Sequence, residues 1–309
     1  MDTACDVIGI GICAFDVLVE VDGFPKIDRK AVASSIGGQG GGLIGTALVT
    51  VARLGGRGAY VGPLGDDTFA DLCFRDFESE GVETRFIRRV AGGSVVTAVV
   101  LVDRAADTRT ILWKPDESLT LAARDVPEEA VRSAGALLVD WLYPDAAAHA
   151  AEVARSAGVP VVMDLEYNDD LTDRLLPLAD YPVVPVAVAR DRYGVQPLEE
   201  CARALFQEVS EHGGRAGVVT AGVEGSAAVT EQKVHYQPAY RTEVVDTTGC
   251  GDVYHGAFAL GMARGRDLER IMRVASATAA LKCRRPGGRA GIPGMEEVEE
   301  FLRTAEPIT

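Results

Sequence analysis

Short apolar strands alternate with amphipathic helical segments along most of this 309-residue chain. Predicted strands cover residues 6–12, 58–62, 136–140, 159–164, 181–185 and 216–220, and predicted helices cover 42–55, 67–81, 145–156, 197–212 and 251–265. Alternation over this length predicts an α/β fold, with a doubly wound, mainly parallel sheet and helices on both of its faces. Ligands of such sheets bind beyond the carboxyl ends of the strands.

Two segments break the alternation and predict a small antiparallel β flap beside the main sheet. Residues 15–22 alternate in polarity after Asp16, and residues 94–113 have the pattern of a hairpin. We expect the flap strands to come from about residues 13–36 and 94–113. No internal repeat and no linker rich in Pro, Gly or Ser divides the sequence, so residues 1–309 are predicted to form a single domain.

Composition and charge exclude several classes of protein. Hydrophobic residues make up 47% of the chain, which suffices for a buried core. The net charge of −15 disfavours binding to nucleic acid or to an anionic membrane. The sequence shows no signal peptide and no apolar run of membrane-spanning length, and its six cysteines lack zinc-binding spacing. We therefore expect a cytoplasmic protein with reduced thiols.

One basic stretch, KCRRPGGR at residues 282–289, departs from the acidic average. Its four cationic residues, with no acid among them, are Lys282, Arg284, Arg285 and Arg289. Two interpretations stay open: a local positive pocket for an anionic substrate, or a charged loop in solvent.

Residues 9–14, GIGICA, match the G-x-G-x-x-A pattern of dinucleotide-binding folds, and Asp28 lies roughly where the ribose-binding acid would be sought. That pattern requires a helix directly after the glycine turn, because the helix N-terminus binds the pyrophosphate. The following residues, FDVLVEVDGFP at 15–25, predict a strand instead. An NAD-dependent oxidoreductase is therefore disfavoured.

The stretch VVDTTGCGDVYHGAF, residues 244–258, carries the strongest functional signal. Its glycines leave backbone N–H groups uncovered at the start of a predicted helix, and such a terminus binds anions. Asp252 follows at once, where a carboxylate could deprotonate a hydroxyl that attacks a phosphoryl group. Asp252 could also be a first-turn acid that complements the helix dipole. That simpler interpretation leaves the glycines and Asp246 unexplained.

DTTGCGD at residues 246–252 resembles the D-T-x-G-A-G-D signature of the ribokinase-like (PfkB) carbohydrate kinases. The similarity extends along the chain through GGQGGG, ARLGGRGAYVGPLGDD, VVTAGVEGS and ATAALKCRRPGGRAGIP, at residues 37–42, 52–67, 218–226 and 277–293. Within the family, the C-terminal motifs resemble most those of sulfofructose kinases. The resemblance implies a ribokinase-like kinase that uses ATP and Mg²⁺ to phosphorylate a hydroxyl of a monosaccharide or sugar derivative.

The resemblance also implies a role for each matched residue. Asp252 would be the general base, and the anion hole would be formed by Gly249, Cys250 and Gly251. Substrate would be bound at the positions of Asp16, Lys30, Gly38, Gln39, Gly42 and Trp113. ATP would be bound by Thr220, Gly222, Gly225 and Ala280. A monovalent cation, K⁺, would lie at Asp246, Thr248, Arg285 and Gly287.

The chain departs from the family pattern at positions that bear on substrate and metal. Gly42 and Ala14 stand where ribokinases carry asparagines, so two hydrogen bonds to a ribose-like diol are missing. Pro185 and Val188 replace the polar residues of the family's N-x-x-E motif. Mg²⁺ would then be held by ATP phosphates, water and other carboxylates, such as Asp164.

Further expectations concern the thiol, the flap and the function. Family members usually carry alanine at the position of Cys250, and a thiol at a helix N-terminus is expected to have a lowered pKa. The flap commonly forms a homodimer in this family. Two other functions stay open: a nucleoside kinase of the same fold, for which the flap offers chiefly Trp113 as an aromatic contact, and a non-catalytic sugar-binding regulator.

Overall fold

A nine-stranded sheet and a four-stranded sheet make up the framework of the computed structural model, which describes residues 5–106 and 108–308. The strands are β1 Val7–Ile10, β2 Ala14–Val21, β3 Ser35–Gly41, β4 Gly58–Leu64, β5 Ile87–Arg89, β6 Val96–Asp103, β7 Thr108–Lys114, β8 Ala136–Val139, β9 Val161–Asp164, β10 Tyr181–Pro185, β11 Gly217–Thr220, β12 Ser226–Val229 and β13 Val234–Gln237. The α-helices are α1 Leu43–Arg53, α2 Thr68–Glu80, α3 Glu128–Ser133, α4 Pro144–Ser156, α5 Asp170–Leu175, α6 Val186–Tyr193, α7 Leu198–Ser210, α8 Cys250–Ala263, α9 Leu268–Lys282 and α10 Met295–Thr304. Residues 1–4, 107 and 309, which the predicted domain includes, lie outside the described residues.

The large sheet has the strand order β13-β12-β11-β10-β9-β8-β1-β4-β5. Its strands pair in parallel from β11 to β5, and only β12 and β13 add antiparallel pairs at one edge. The chain leaves β1 toward β4 on one side and later returns to β8 on the other, so the connections diverge at β1. The predicted doubly wound sheet is confirmed, and its switch point lies at the carboxyl end of β1.

Helices cover both faces of this sheet because its strands are apolar on both sides. In β1, Val7 joins the hydrophobic core under α1, α8 and α9, whereas Ile8 and Ile10 join the core under α4 and α7. Each of these strand residues is fully buried. In the described part of the chain, no helix is both long and apolar enough to cross a membrane.

The small sheet is the predicted flap, with the strand order β3-β2-β6-β7. Its outer pairs are antiparallel, and its central pair, β2 with β6, is parallel. Because β2 begins at Ala14, a strand follows the glycines of GIGICA directly. The helix that a dinucleotide-binding turn requires is therefore replaced by a flap strand, as the sequence predicts.

The flap exposes apolar side chains. Every described residue of β7 is exposed, and Leu112 keeps 62% of its surface accessible. Ile36 on β3 is 71% exposed. Contiguous apolar side chains of this kind are typical of a surface that another molecule covers.

Arg289 connects the loop after α9 to β3 and α2 in the N-terminal part of the chain. Its Nη2 donates to the carbonyl oxygen of Gly41 at 2.7 Å, and its Nη1 pairs with Asp76 on α2. The guanidinium carbon lies 5.5 Å from the ring centre of Phe77, and the arginine side chain is nearly inaccessible. A buried cation with these partners stabilises the fold only while all of them are present.

Replacing Arg289 with methionine should lower the free energy of unfolding by about 3 kcal/mol, measured by urea denaturation. We expect a loss of stability at the low end of the range for a broken buried ion pair, because a third of the Asp76 side chain is exposed to solvent. The matched control is Arg270→Met, which breaks the surface pair with Glu299 and should cost less than about 1 kcal/mol. Equal losses in both variants would contradict the structural role of Arg289.

Candidate active site

One cavity of about 490 Å³ collects the residues that were predicted to bind the nucleotide. Thr220 ends β11, and Gly222 and Gly225 flank the short turn before β12. Ala280 faces them from α9, and the first residues of α8 form the adjoining wall. The end of β11, the turn before β12, the N-terminus of α8 and the C-terminal part of α9 thus meet at the carboxyl edge of the large sheet.

The N-terminus of α8 presents free donors, as predicted. Gly249 caps the helix with a φ of 76°, and a Cβ there would lie 2.9 Å from the Cα of Gly288, so only glycine fits. Among the described residues, no group accepts a hydrogen bond from the N–H of Gly249 or Gly251. The N–H of Cys250 donates to the carbonyl oxygen of Thr247 at 3.2 Å. Two of the three predicted anion-hole residues therefore offer unpaired N–H groups.

Asp252 lies in the first turn of α8 and is half-buried. Burial raises the pKa of its carboxyl group to about 8, and the like charges of Glu166 and Asp16 add to this effect. Arg289 and Lys282 act in the opposite direction. The carboxyl group is thus protonated in the empty site at neutral pH, and additional positive charge nearby would ionise it.

Asp164, which was expected to help hold Mg²⁺, is instead buried against His255 on α8. His255 Nε2 lies 3.2 Å from the carbonyl oxygen of Val183, which can only accept, so this nitrogen carries the ring proton. Burial lowers the pKa of His255 to about 4, so the ring is neutral and Nδ1 is an acceptor, 3.1 Å from Asp164 Oδ2. This contact is not a hydrogen bond, because His255 Nδ1 is buried without a hydrogen-bond partner among the described residues, as is Asp164 Oδ1; burial raises the pKa of Asp164.

Glu166 is the carboxylate that sequence analysis missed. It follows β9 by two residues, is half-buried, and its pKa is raised by burial against the opposing effect of the Trp141 indole N–H. The sequence signal that could have identified Glu166 is its position just after a parallel strand, where ligands of such sheets bind. Within the described ranges, no three His, Cys, Asp or Glu side chains are close enough to hold a metal ion by themselves.

Asp16 and Gln39 face each other across β2 and β3 and so share one face of the flap. Burial raises the pKa of Asp16 to about 6, while Arg289 lowers it. The Nε2 of Gln39 is buried without a partner among the described residues, which leaves an amide donor for a ligand. Gly38 lies on the opposite face, because a Cβ there would point at the ring of Phe15, 2.6 Å away.

Two other predicted substrate residues contribute no side chain to this arrangement. Gly42 caps α1 with a φ of 83°, and a Cβ there would lie 2.5 Å from the carbonyl oxygen of Ile12. Only its backbone is therefore available to a substrate. Lys30 lies in the exposed loop between β2 and β3, and no described residue forms a hydrogen bond or ion pair with it. Its contact with substrate stays a prediction.

Three aromatic rings, here called the aromatic trio, line up at the flap side of the sheet edge. Trp113 on β7 meets Trp141 edge-on with 6.1 Å between ring centres, and Trp141 meets Tyr167 edge-on at 5.3 Å. Sequence analysis identified only Trp113. Trp141 and Tyr167 could have been found because each closely follows a parallel strand, β8 or β9.

Arg109 connects the flap to the cavity and was also missed. Its Nη1 donates to the Oγ1 of Thr247 at 2.8 Å, and Thr247 lines the cavity beside the start of α8. The contact joins residues that lie 138 positions apart in the chain, so no local pattern could reveal it.

The predicted monovalent-cation site already contains a cation of the chain. The carboxylate of Asp246 accepts N–H bonds from Thr248 at 2.8 Å and from Gly287 at 2.7 Å. Burial alone would raise the pKa of Asp246, but these bonds lower it overall. The fully buried Lys282 donates its ammonium to the carbonyl oxygen of Asp246 at 2.9 Å, and Arg285 is exposed. The K⁺ site therefore stays a prediction.

The cations of the basic stretch differ in their surroundings. Arg284 donates to the Oγ1 of Thr242 at 2.8 Å and stacks over Phe301, whereas Lys282 and Arg289 are buried among their own partners. Three of the four cations are used within the fold, and two of these, Lys282 and Arg289, also lower the pKa of Asp252; a positive pocket for an anionic substrate stays a prediction.

The expectation of a low pKa at Cys250 is also wrong. Its Sγ lies 3.0 Å from the Sγ of Cys283, and this hydrogen bond together with burial raises the pKa of Cys250 well above its ordinary value. No local pattern predicted that α9 would end beside the start of α8.

Free N–H groups at a helix N-terminus beside a carboxyl group can bind a phosphoryl group and accept a proton, which is the chemistry of a kinase. The model of the pfkB family of carbohydrate kinases matches residues 5–295. The chain therefore belongs to this family and is a carbohydrate kinase.

Known relatives support this assignment over nearly the whole length. The chain is 29% identical to the ATP-dependent ribose-1-phosphate kinase of Halopiger xanaduensis, over 96% of this chain and 97% of that protein. It is 25% identical to the ribokinase of Bacillus subtilis, over 95% and 98%. A crystal structure from Agrobacterium tumefaciens, described as a candidate ribokinase, superimposes with a TM-score of 0.90 at 29% identity, covering 97% and 98%.

Replacing Glu166 with glutamine should lower the pKa of Asp252 from about 8, because it removes the like charge that raises this pKa most. The measurement is NMR of isotope-labelled aspartate carboxyl carbons in the free protein across a pH series. Glu231→Gln, in an exposed turn, is the control and should leave the pKa unchanged. An unaltered Asp252 titration in Glu166→Gln would show that the two carboxyl groups do not interact.

Proposed function

We propose that the protein transfers the γ-phosphoryl group of ATP to a hydroxyl of a monosaccharide or sugar derivative, with Asp252 as the general base. The single observation that carries the proposal is the position of Asp252, in the first turn of α8 beside the unpaired N–H groups of Gly249 and Gly251. The relatives named above act on ribose or its phosphate, which supports a sugar as acceptor.

The nucleotide would occupy the 490 Å³ cavity. Val223 and Val244 line it and are largely exposed, so they could cover an adenine ring on binding. The triphosphate would then extend toward Gly251, and Arg109 would reach it from the flap. Mg²⁺ would be held chiefly by the phosphates, with Glu166 facing its water ligands, and would neutralise charge on the transferred group.

The acceptor would lie between the flap and the sheet edge. Asp16 and the unpartnered amide of Gln39 would bind its hydroxyls. Asp252 would take the proton of the attacking hydroxyl, and the N–H groups at Gly249 and Gly251 would stabilise the transferring phosphoryl group. Because Asp252 is protonated in the empty site, the positive charge of a bound metal would ionise it when the substrates are in place.

Two finer parts of the proposal, the homodimer and the anionic end of the acceptor, depend on the flap. Its exposed apolar residues, Ile36 and Leu112 among them, would be covered in a homodimer. Lys30 would meet an anionic end of the acceptor if the substrate is a sulfosugar, as the sulfofructose-kinase resemblance implies. K⁺ would bind at oxygen atoms around Asp246, next to the fixed positive charge of Lys282.

Replacing Asp252 with asparagine should lower kcat by about 10²–10⁴-fold, because the side chain keeps its size but loses the proton acceptor. The dissociation constant for MgATP, measured by calorimetry, should change little. Asp22→Asn in an exposed turn is the control and should keep full activity. A variant at position 252 that retained more than half of the activity would remove Asp252 from the mechanism and leave a sugar-binding regulator as the alternative.

The aromatic trio favours a second candidate function, phosphorylation of a nucleoside. One of its rings, Trp141, packs with Leu142 against a small apolar cluster of Ile12, Ala14 and Val96. Ala14 stands where ribokinases carry an asparagine. An apolar wall beside aromatic edges suits a planar base attached to the sugar better than it suits free ribose.

A phosphorylation screen over pentoses, ketoses, sugar acids, sulfosugars and nucleosides, read as ADP release, decides between these acceptors. If a nucleoside is used, Trp113→Ala should raise its KM by up to about tenfold and leave the KM for MgATP unchanged. Leu72→Ala, at an exposed apolar position on α2, is the matched control. Activity on sugars alone, with no effect of Trp113→Ala, would exclude the nucleoside function.

A further inference from the structure

The N-terminus of α8 and the C-terminus of α9 bring two thiols together in the wall of the nucleotide cavity. Cys250 is the first residue of α8 and Cys283 follows the last residue of α9, and their Sγ atoms are 3.0 Å apart. Both side chains are half-buried and line the cavity. A reagent small enough to enter this cavity can therefore reach both sulfur atoms.

The two thiols differ in acidity, as a reactive pair requires. The hydrogen bond from the Cys250 thiol lowers the pKa of Cys283 to about 7, and the Lys282 ammonium acts in the same direction against burial. Cys283 is thus the more readily ionised thiol of the two. A thiol with a pKa near the ambient pH is the best attacking group in disulfide exchange.

We propose that Cys250 and Cys283 form a reversible disulfide that disables the nucleotide site, with a low-molecular-weight disulfide as the oxidant. The Cys283 thiolate attacks one sulfur of the reagent RS–SR, which forms a mixed disulfide and expels RS⁻. Cys250 then loses its proton to water and attacks the Cys283 sulfur, which expels the second RS⁻. The protein dithiol is oxidised to a disulfide, and RS–SR is reduced to two RSH molecules.

Proximity and access together favour this bond over the other thiol pair of the described chain, Cys13 with Cys73, which also interacts through a hydrogen bond but is buried in the hydrophobic core. The sulfur atoms need to approach by only about 1 Å to reach bonding distance. The remaining cysteines are Cys5, Cys13, Cys73 and Cys201, and all are buried. Cys73, for example, donates to the carbonyl oxygen of Ala14 at 3.2 Å inside the hydrophobic core, where a reagent has no access.

The bond would disturb phosphoryl transfer because Cys250 belongs to the turn that presents the free N–H groups. Pulling its side chain toward α9 shifts the backbone of Gly249 and Gly251 relative to the phosphates. A misplacement of about 1 Å in such a site can reduce the rate by about 10²-fold. The disulfide would also occupy space beside Ala279 and Ala280 in the cavity wall.

The test treats the folded protein with glutathione disulfide, with and without MgATP, and maps the peptides. We expect the loss of two hydrogen atoms in the intact mass, a linked Cys250–Cys283 peptide, and slower oxidation with MgATP. Kinase activity should fall at least tenfold and return on addition of dithiothreitol. Cys250→Ser should stop at a mixed disulfide on Cys283, and Cys283→Ser should form no link.

Each variant is compared with its own untreated form, and thermal melting verifies that it is folded. Cys201→Ala removes a buried thiol on α7 and should behave like the unaltered protein. Absence of the linked peptide would overturn the disulfide, and a linked protein with full activity would overturn its effect on the site. Peptide mapping requires no acceptor, so it remains informative even if the proposed kinase reaction fails.

Discussion

Acidic side chains are concentrated at the carboxyl edge of the large sheet, and this crowding governs the site. Asp16, Asp140, Asp164, Glu166 and Asp252 all have pKa values raised by burial. Two of them serve structure: Asp140 accepts N–H bonds from Ile12 and Leu142 where β1 and β8 end, and Asp164 is buried against His255. The others repel one another, because the charges of Glu166 and Asp16 raise the pKa of Asp252.

Three cations balance these acids without filling the site. Arg289 and Lys282 are buried and bonded to carbonyl oxygens of Gly41 and Asp246, so their charges are fixed in place. Both lower the pKa of Asp252, although burial outweighs them. Arg109 comes from the flap and donates to Thr247, which lines the cavity beside the start of α8, so the flap is joined to that side of the cavity.

Most of the central architecture could be predicted from local patterns. The predicted strand 181–185 coincides with β10, and the predicted helix 67–81 coincides with α2 to within one residue at each end. Asp67 caps that helix and Gly81 ends it in the left-handed conformation, which are local signals. The short β5, β12 and β13 were missed because strands of three or four residues have little pattern of their own.

The sequence by itself determined the α/β class, the flap and the glycine turn of DTTGCGD, because each depends on periodicity or on glycines within one short segment. Only the tertiary structure decided the environment of those residues. It placed Glu166 beside Asp252, assembled the aromatic trio from three separate segments, and set the thiols of Cys250 and Cys283 in contact. Charge interactions, burial and sulfur contacts depend on distances through space, and residues far apart in the chain acquire those distances only when the sheet and helices pack.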